Sequence, residues 1–156
     1  MKFIADSMLG RLARWLRLLG YDTLYFPQID DGRIIRISRE DDRILLTRDT
    51  RLVKVRGLKR FLLIEDNDPF RQLKAVITAL RLNGEGFTIS PVLVRCSLCN
   101  SLLERASRED AKGMVPDYVY NTVKEFKFCP GCRKFYWRGT HPQKAKAKLL
   151  EVLRNP

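Results

Sequence analysis

The sequence predicts an α/β domain with a mainly parallel sheet flanked by helices, followed by a small four-cysteine module. Over residues 1–90 short apolar runs alternate with amphipathic segments, the pattern of strands and helices taking turns around a parallel sheet. All four cysteines come later, in two CxxC pairs. Apolar residues make up 45% of the 156-residue chain and charged residues 31%, with no repeat and no low-complexity tract, so globular structure rather than disorder is expected. The boundaries follow: one domain over 1–90 and a second module over 91–156.

Lys2–Ala5 is expected to be the first strand. Leu9–Leu19 is expected to be a helix, with Leu9, Leu12, Ala13, Leu16 and Leu19 at three- and four-residue spacing and Gly20 ending it. Asp22–Phe26 reads as a second strand closed by Pro27. Asp31–Arg39 is a short helix with Ile34, Ile35 and Ser38 inward, and Arg43–Thr47 a buried third strand. Thr50–Val55 turns back, Arg60–Ile64 is the fourth strand, and Asp68-Pro69 caps and opens a helix over Phe70–Leu82. Asn83-Gly84-Glu85-Gly86 breaks that helix and starts a linker. At the far end, Gln143–Arg154 has the alternation of a short basic helix.

Carboxylates fall where those strands end. Asp6 follows the first strand, Asp49 the third, and Glu65, Asp66 and Asp68 the fourth, while Asp30 and Asp31 open the second helix. In a parallel α/β sheet ligands bind beyond the carboxyl ends of the strands, so these side chains can converge there. Carboxylates that share a pocket repel one another unless a cation joins them. A hard divalent ion, Mg²⁺ or Mn²⁺, takes oxygen ligands, keeps waters and leaves room for a phosphate, and its bound water can attack a phosphodiester. Asp is also favoured at turns and helix starts without any chemistry, the expectation for Asp22, Asp41 and Asp42.

Cys96-x₂-Cys99 and Cys129-x₂-Cys132 supply four thiolates in two close pairs, the donor set of one closed, structural Zn²⁺ site per chain. Pro130-Gly131 suits a tight turn, and the 29 residues between the pairs imply extra structure between the two halves of the site. A redox CxxC or two disulfides are the rival readings, and two matched pairs favour a shared metal. His141, the one histidine, is not needed as a ligand.

Thirty Lys and Arg against eighteen Asp and Glu give a net charge of +12, a field that draws polyanions and makes nucleic acid the leading partner. The bland alternative is a solvated basic surface. Arg11, Arg14 and Arg17 recur every third residue behind Asp6, and Arg48 and Arg51 flank Asp49, all offering paired donors to phosphate. Arg133, Lys134, Tyr136 and Arg138 interleave cations with rings, as a single-strand platform does, although Phe135 and Trp137 are needed equally as core of so small a module. Trp15 is expected to pack. No apolar run approaches the roughly 18 residues of a spanning helix, and a carboxylate at Asp6 comes too early for a signal sequence, so a cytoplasmic protein without membrane contact is expected.

FIADSMLGRLARWLRLLGYDTLY at 3–25 and LLTRDTRL at 45–52, with RCSLCN at 95–100 and CPGCRKFYWRGTH at 129–141, resemble the PIN-like nucleases of the Mut-seven C-terminal RNase family over nearly the whole chain. The resemblance implies a PIN-like fold, metal-dependent RNA cleavage, and Asp6, Asp31 and Asp49 as the matching catalytic acids. Arg51 stands where related sequences can carry a fourth acid, with Asp30, Asp66 and Asp68 as substitutes. The expectation is therefore a ribonuclease with an acidic Mg²⁺ or Mn²⁺ site and a zinc ribbon that grips RNA, single-stranded by preference. The rivals are a non-catalytic RNA-binding or ribosome-associated protein, and a toxin-type or DNA-directed nuclease using the same pocket.

Overall fold

In a strand alternate side chains point to opposite faces, and here that alternation builds a three-layer domain. Phe3 and Ala5 of β1 (Lys2–Ala5) and Ile44 and Leu46 of β3 (Ile44–Thr47) pack on one face with Leu12, Ala13 and Leu16 of α1 (Gly10–Leu18) and Leu73, Val76 and Ile77 of α3 (Pro69–Ala79). Ile4 and Leu45 point the other way, onto Ile34 and Ile35 of α2 (Asp31–Glu40) and onto Leu52 and Leu58. Each such fully buried aliphatic side chain is worth about 1.5–3 kcal/mol of transfer free energy. The computed structural model describes residues 1–82 and 94–137, with 147 and 151.

The sheet is entirely parallel, in the order β2-β1-β3-β4, with β2 at Asp22–Tyr25 and β4 at Phe61–Leu63. A single turn of 3₁₀ helix, Leu52–Lys54, replaces the plain reversal expected over Thr50–Val55. Among the described residues of the first domain the predicted elements are present, β1 at the expected bounds and the others with ends shifted by at most three residues. The largest shift is in α3, which stops at Ala79 because Leu80 has already left helical geometry. Gly20 ends α1 through a left-handed residue (φ +90°): its N–H donates to Arg17 O at 2.9 Å and that of Tyr21 to Leu16 O at 3.0 Å, the paired closure that glycine permits after a helix. Trp15 packs as expected, its ring 4.8 Å from that of Phe70.

The second module contains a three-stranded antiparallel sheet, β5 (Glu104–Ala106), β6 (Phe126–Phe128) and β7 (Phe135–Trp137). Between β5 and β6 lie two short helices, α4 (Arg108–Ala111) and α5 (Asp117–Thr122), which are the extra structure the cysteine spacing implied. Ala111, Val115 and Val119 close a small core over Phe126, with Phe135 and Trp137 against it. Both rings are half-buried against that core. The expected tail helix at 143–154, Arg138 and His141 lie outside the described residues. Among the described residues no helix is long and apolar enough to cross a membrane.

Candidate active site and metal centre

Asp6 is buried, 6% exposed, immediately beyond the carboxyl end of β1. Its backbone N–H continues the ladder to Leu46 O at 3.0 Å, so the sheet itself sets its position. Three donors converge on its carboxylate: Met8 N on Oδ1 at 2.9 Å, and the Thr47 hydroxyl at 2.6 Å and Arg48 N at 2.8 Å on Oδ2. A carboxylate has about four acceptor positions, and the one left over lies on Oδ1.

Thr47, at the end of β3 and fully buried, also accepts from Asp49 N at 3.0 Å, so one hydroxyl joins the two strand-end aspartates. The Asp49 carboxylate is clamped by Arg51, whose backbone N–H and Nε donate to Oδ1 at 2.7 and 3.2 Å and whose Nη2 donates to Oδ2 at 2.9 Å. That guanidinium holds the Asp49 carboxyl below its ordinary range. Asp49 in turn raises Arg51, with a smaller contribution from the charge of Asp31. Arg51, its side chain 87% exposed, thus lies among the charges of two of the expected acids.

Asp31 is exposed in the first turn of α2. Asp30 caps that helix by accepting from Arg33 N at 2.8 Å, and Asp68 caps α3 by accepting from Phe70 N and Arg71 N, both at 3.0 Å. Asp66 accepts from Asp68 N at 2.8 Å. These three acids are placed by turn and cap chemistry. The expected acids are not gathered into one tight donor set: among the described residues, the four cysteines alone form a group of three or more candidate ligands within 4.8 Å of one another.

The cysteines form two matching loops. Asn100 N donates to Cys96 O at 3.0 Å and Arg133 N to Cys129 O at 2.8 Å; Cys96 N donates to Ser101 O and Cys129 N to Lys134 O, both at 2.9 Å. Asn100 (φ 72°) and Arg133 (φ 55°) are both left-handed, closing each loop after its second cysteine. Within them Cys99 N approaches Cys96 Sγ at 3.5 Å and Cys132 N approaches Cys129 Sγ at 3.4 Å, so backbone N–H groups face sulfur. Gly131 is required by space, because a Cβ there would lie 2.6 Å from Ser101 Oγ and 3.1 Å from Cys99 Sγ.

Sulfur–sulfur separations are 3.3 Å for Cys96–Cys132 and Cys99–Cys129, 3.4 Å for Cys129–Cys132 and 3.8 Å for Cys99–Cys132. A tetrahedral site with Zn–S bonds of about 2.3 Å has edges of roughly 3.8 Å, so the donor set fits zinc in kind and in size. Four thiols so close cannot all ionise unaided. Burial raises the Cys99 thiol, but its hydrogen bonds with Ser101 and neighbouring cysteines outweigh that and bring it to about 6, whereas burial and its sulfur neighbours push Cys132 up to about 12. A bound cation removes that conflict by taking all four as thiolates.

A family model described as the Mut7-C RNAse domain matches residues 1–149. The chain belongs to the Mut7-C RNAse domain family. No curated protein and no solved structure matches it. Membership ties the chain to nuclease function and to RNA as a class, and the matched span takes in both strand-end aspartates and both cysteine loops.

Two expected RNA contacts of this Mut7-C chain are turned elsewhere. Arg17 is 3% exposed, with Nε donating to Thr23 O at 2.8 Å and Nη1 to Ser97 O and Leu98 O at 3.1 and 2.7 Å. A helix turns about 100° per residue, so each three-residue step falls some 60° short and Arg17 lies about 120° around α1 from Arg11. Arg11 and Arg14 are exposed and Arg17 faces the cysteine module. Tyr136 is hydrogen-bonded through its hydroxyl to Cys96 Sγ at 2.9 Å and packs on the cysteine cluster, because strand alternation sets it opposite to Phe135 and Trp137. Arg133 and Lys134 remain exposed.

Sequence reasoning passed over Thr47, Arg43, Arg95 and Asn100 and read Asp22, which lies in β2, as a turn residue. Asp22 pairs with Arg43 at 2.7 Å and accepts from Asn100 Nδ2 at 2.8 Å, with Arg95 at 3.8 Å. Only Thr47 carried a local signal, two residues before Asp49 at the end of an apolar run. The others act across sequence separations of about 20–80 residues.

Proposed function

We propose that the chain is a metal-dependent ribonuclease in which Asp6, Asp31 and Asp49 hold Mg²⁺ or Mn²⁺, while the zinc ribbon with its exposed Arg133 and Lys134 assists in holding single-stranded RNA. The observation that carries the reading is the Asp6–Thr47–Asp49 arrangement: two aspartates just beyond the carboxyl ends of adjacent parallel strands, with one buried hydroxyl bonding the Asp6 carboxylate and the Asp49 backbone N–H. That is where a parallel sheet presents its ligand site.

Asp6 is held rigidly and keeps one acceptor position on Oδ1; Asp49 and Asp31 lie under the influence of the exposed Arg51 cation, which gives way when a metal enters. When bound, the divalent ion supplies an activated water and charge neutralisation at the phosphate. Arg11 and Arg14, exposed on α1 just after Asp6, guide the backbone. Arg48 is half-buried beside Asp6 with its Nε lacking a hydrogen-bond partner, so its side chain would have to turn outward to meet phosphate. The ribbon's Zn²⁺, held by Cys96, Cys99, Cys129 and Cys132, is structural, and the two domains span 1–90 and 91–156.

The test is cleavage of a labelled single-stranded RNA panel in Mg²⁺ or Mn²⁺ by the zinc-loaded chain, with and without Asp49→Asn. Asp49→Asn is the cleaner substitution, because Asp6→Asn would turn an amide N–H toward one of three donors. Metal-dependent cleavage abolished by Asp49→Asn supports the reading. Tight RNA binding with no cleavage on any substrate transfers the function to RNA binding alone.

A further inference from the structure

The two cysteine loops are built alike but differ in what lies against them. Pro130, Gly131 and Arg133 of the second loop are exposed. The first loop is fastened to the nuclease domain. Arg17, from α1, donates to the Ser97 and Leu98 carbonyls inside the Cys96–Cys99 loop and to Thr23 O on β2. Asn100 accepts from Thr23 N at 3.0 Å and donates to Asp22 Oδ1 at 2.8 Å, so an amide side chain pairs an open main-chain N–H of edge strand β2. Arg95 adds Nε to Gly20 O at 3.3 Å and Nη1 to Asn100 O at 2.9 Å, spanning the end of α1 and the loop.

We propose that the zinc-held first loop is a working part of the nuclease domain, with Arg17 and Asn100 as positioning residues that couple zinc occupancy to the placement of α1 and β2. A guanidinium as buried as Arg17 needs its acceptors, because leaving a buried charge unpaired is strongly destabilising. Its acceptors on the ribbon are two carbonyls of the loop between Cys96 and Cys99, the two candidate ligands that a common ion would hold together. Electrostatics point the same way: four thiolates around one Zn²⁺ leave about two net negative charges, and the Arg17 guanidinium is bonded to the loop between two of those cysteines.

The coupling reaches the candidate active site along α1. Leu9 N donates to Asp6 O at 3.1 Å and Ala13 N to Leu9 O at 2.9 Å, so the helix that Arg17 holds near one end starts on the Asp6 backbone at the other. This last step, from placement to catalysis, rests on the ribonuclease reading. Linkage requires reciprocity: if zinc orders α1 and β2, then removing Arg17 or Asn100 weakens zinc, although neither touches it.

The experiment uses the full chain and Zn²⁺ itself. Zinc affinity is measured by competition with a chromophoric chelator for wild type, Arg17→Met, Arg17→Lys and Asn100→Ala, with Arg36→Met on the exposed face of α2 as control. Arg17→Met and Asn100→Ala are expected to lose tenfold or more, as removal of groups that support metal ligands commonly does, and Arg17→Lys to recover part. Hydrogen exchange is then followed on withdrawing zinc with a zinc-selective chelator in excess Mg²⁺. Protection should fall in α1 and β2 as well as in the ribbon, while α2 and β3 keep theirs. Unchanged zinc affinity in both variants, or loss of protection confined to residues 94–137, overturns the coupling, whether or not RNA is cleaved. In the cleavage assay zinc withdrawal should lower kcat, beside any rise in KM that loss of the ribbon's RNA grip brings. A raised KM with unchanged kcat overturns the catalytic step and returns the ribbon to a pure RNA grip. Absence of cleavage by the zinc-loaded wild type overturns the ribonuclease reading, and zinc affinity and exchange then decide the coupling.

Discussion

Replacing Thr47 by valine removes one hydroxyl and little volume, and it isolates the contact that joins the two strand-end aspartates. The hydroxyl donates to the Asp6 carboxylate at 2.6 Å and accepts from Asp49 N at 3.0 Å, and it is fully buried. A hydrogen bond to a charged group contributes about 1.5–3 kcal/mol and an ordinary one about 1 kcal/mol, so Thr47→Val should cost roughly 2–4 kcal/mol of stability. Asp6 keeps Met8 N and Arg48 N and is left free to rotate toward the vacated side. A misplacement of about 1 Å in a catalytic group costs on the order of a hundredfold in rate, so cleavage should fall by that order with RNA affinity retained. Thr47→Ser keeps the hydroxyl and should recover most of both. The assay is urea unfolding of wild type and both variants, paired with cleavage kinetics in Mg²⁺ under conditions where each is folded. A Thr47→Val protein within about 0.5 kcal/mol of wild type, cleaving at the wild-type rate, would refute the reasoning, since surface-like changes have effects of that size.

Four other outcomes follow. Metal analysis of the purified chain should find one zinc per molecule, and Cys129→Ser should destabilise the ribbon, whose folding depends directly on the metal. Asp22 is buried enough to favour the neutral acid, yet hydrogen bonds from Arg43 and Asn100 and the charges of Arg43 and Arg95 outweigh this and lower its pKa. Its stabilisation is therefore complete above the unfolded value of about 3.9 and is lost as pH falls through the lower folded value; acid titration of Asp22→Asn should show a weaker loss over that window. Arg11→Ala and Arg14→Ala should each reduce the slope of log affinity for RNA against log salt by about one unit, and Arg17→Lys should leave that slope unchanged. Asp49→Asn should abolish Mg²⁺-dependent cleavage while RNA affinity holds or rises, because it removes a negative charge near phosphate, and Asp42→Asn should cleave as wild type does.

The features legible in the sequence are those set by contacts near in the chain. Alternating burial in β1 and β3, the spacing of Leu12, Ala13 and Leu16 in α1, the Asp68-Pro69 cap and the two CxxC loops all depend on residues within a turn or a strand of one another. Asp6 and Asp49 could be singled out for the same reason, each closely following an apolar run that a parallel sheet must bury. What could not be read depends on the sheet order. Asn100 meets Thr23 only because β2 lies at the sheet's edge, a fact of the β2-β1-β3-β4 order with no trace in either local sequence.

Charge was the most misleading local signal, for a physical reason. A basic residue contributes equally to the net charge of +12 whether its guanidinium faces solvent or carbonyl oxygens. Arg17 and Arg43 are 3% and 7% exposed: Arg43 joins Asp22, Asp41 and Phe3 O, and Arg17 joins the cysteine loop to β2. Arginine suits that task because its planar fork can serve several fixed acceptors at once while staying charged. The three-residue spacing that made Arg11, Arg14 and Arg17 look like one phosphate-binding stripe also carries the third around the helix into the interface. Two of the stripe remain at the surface, after Asp6 in sequence, and the third holds the ribbon. The same helix thereby presents Arg11 and Arg14 to solvent at its start and anchors the cysteine loop near its end, so Asp6 and Cys96, 90 residues apart in sequence, are linked through α1, with about a turn and a half between Arg11 and Arg17.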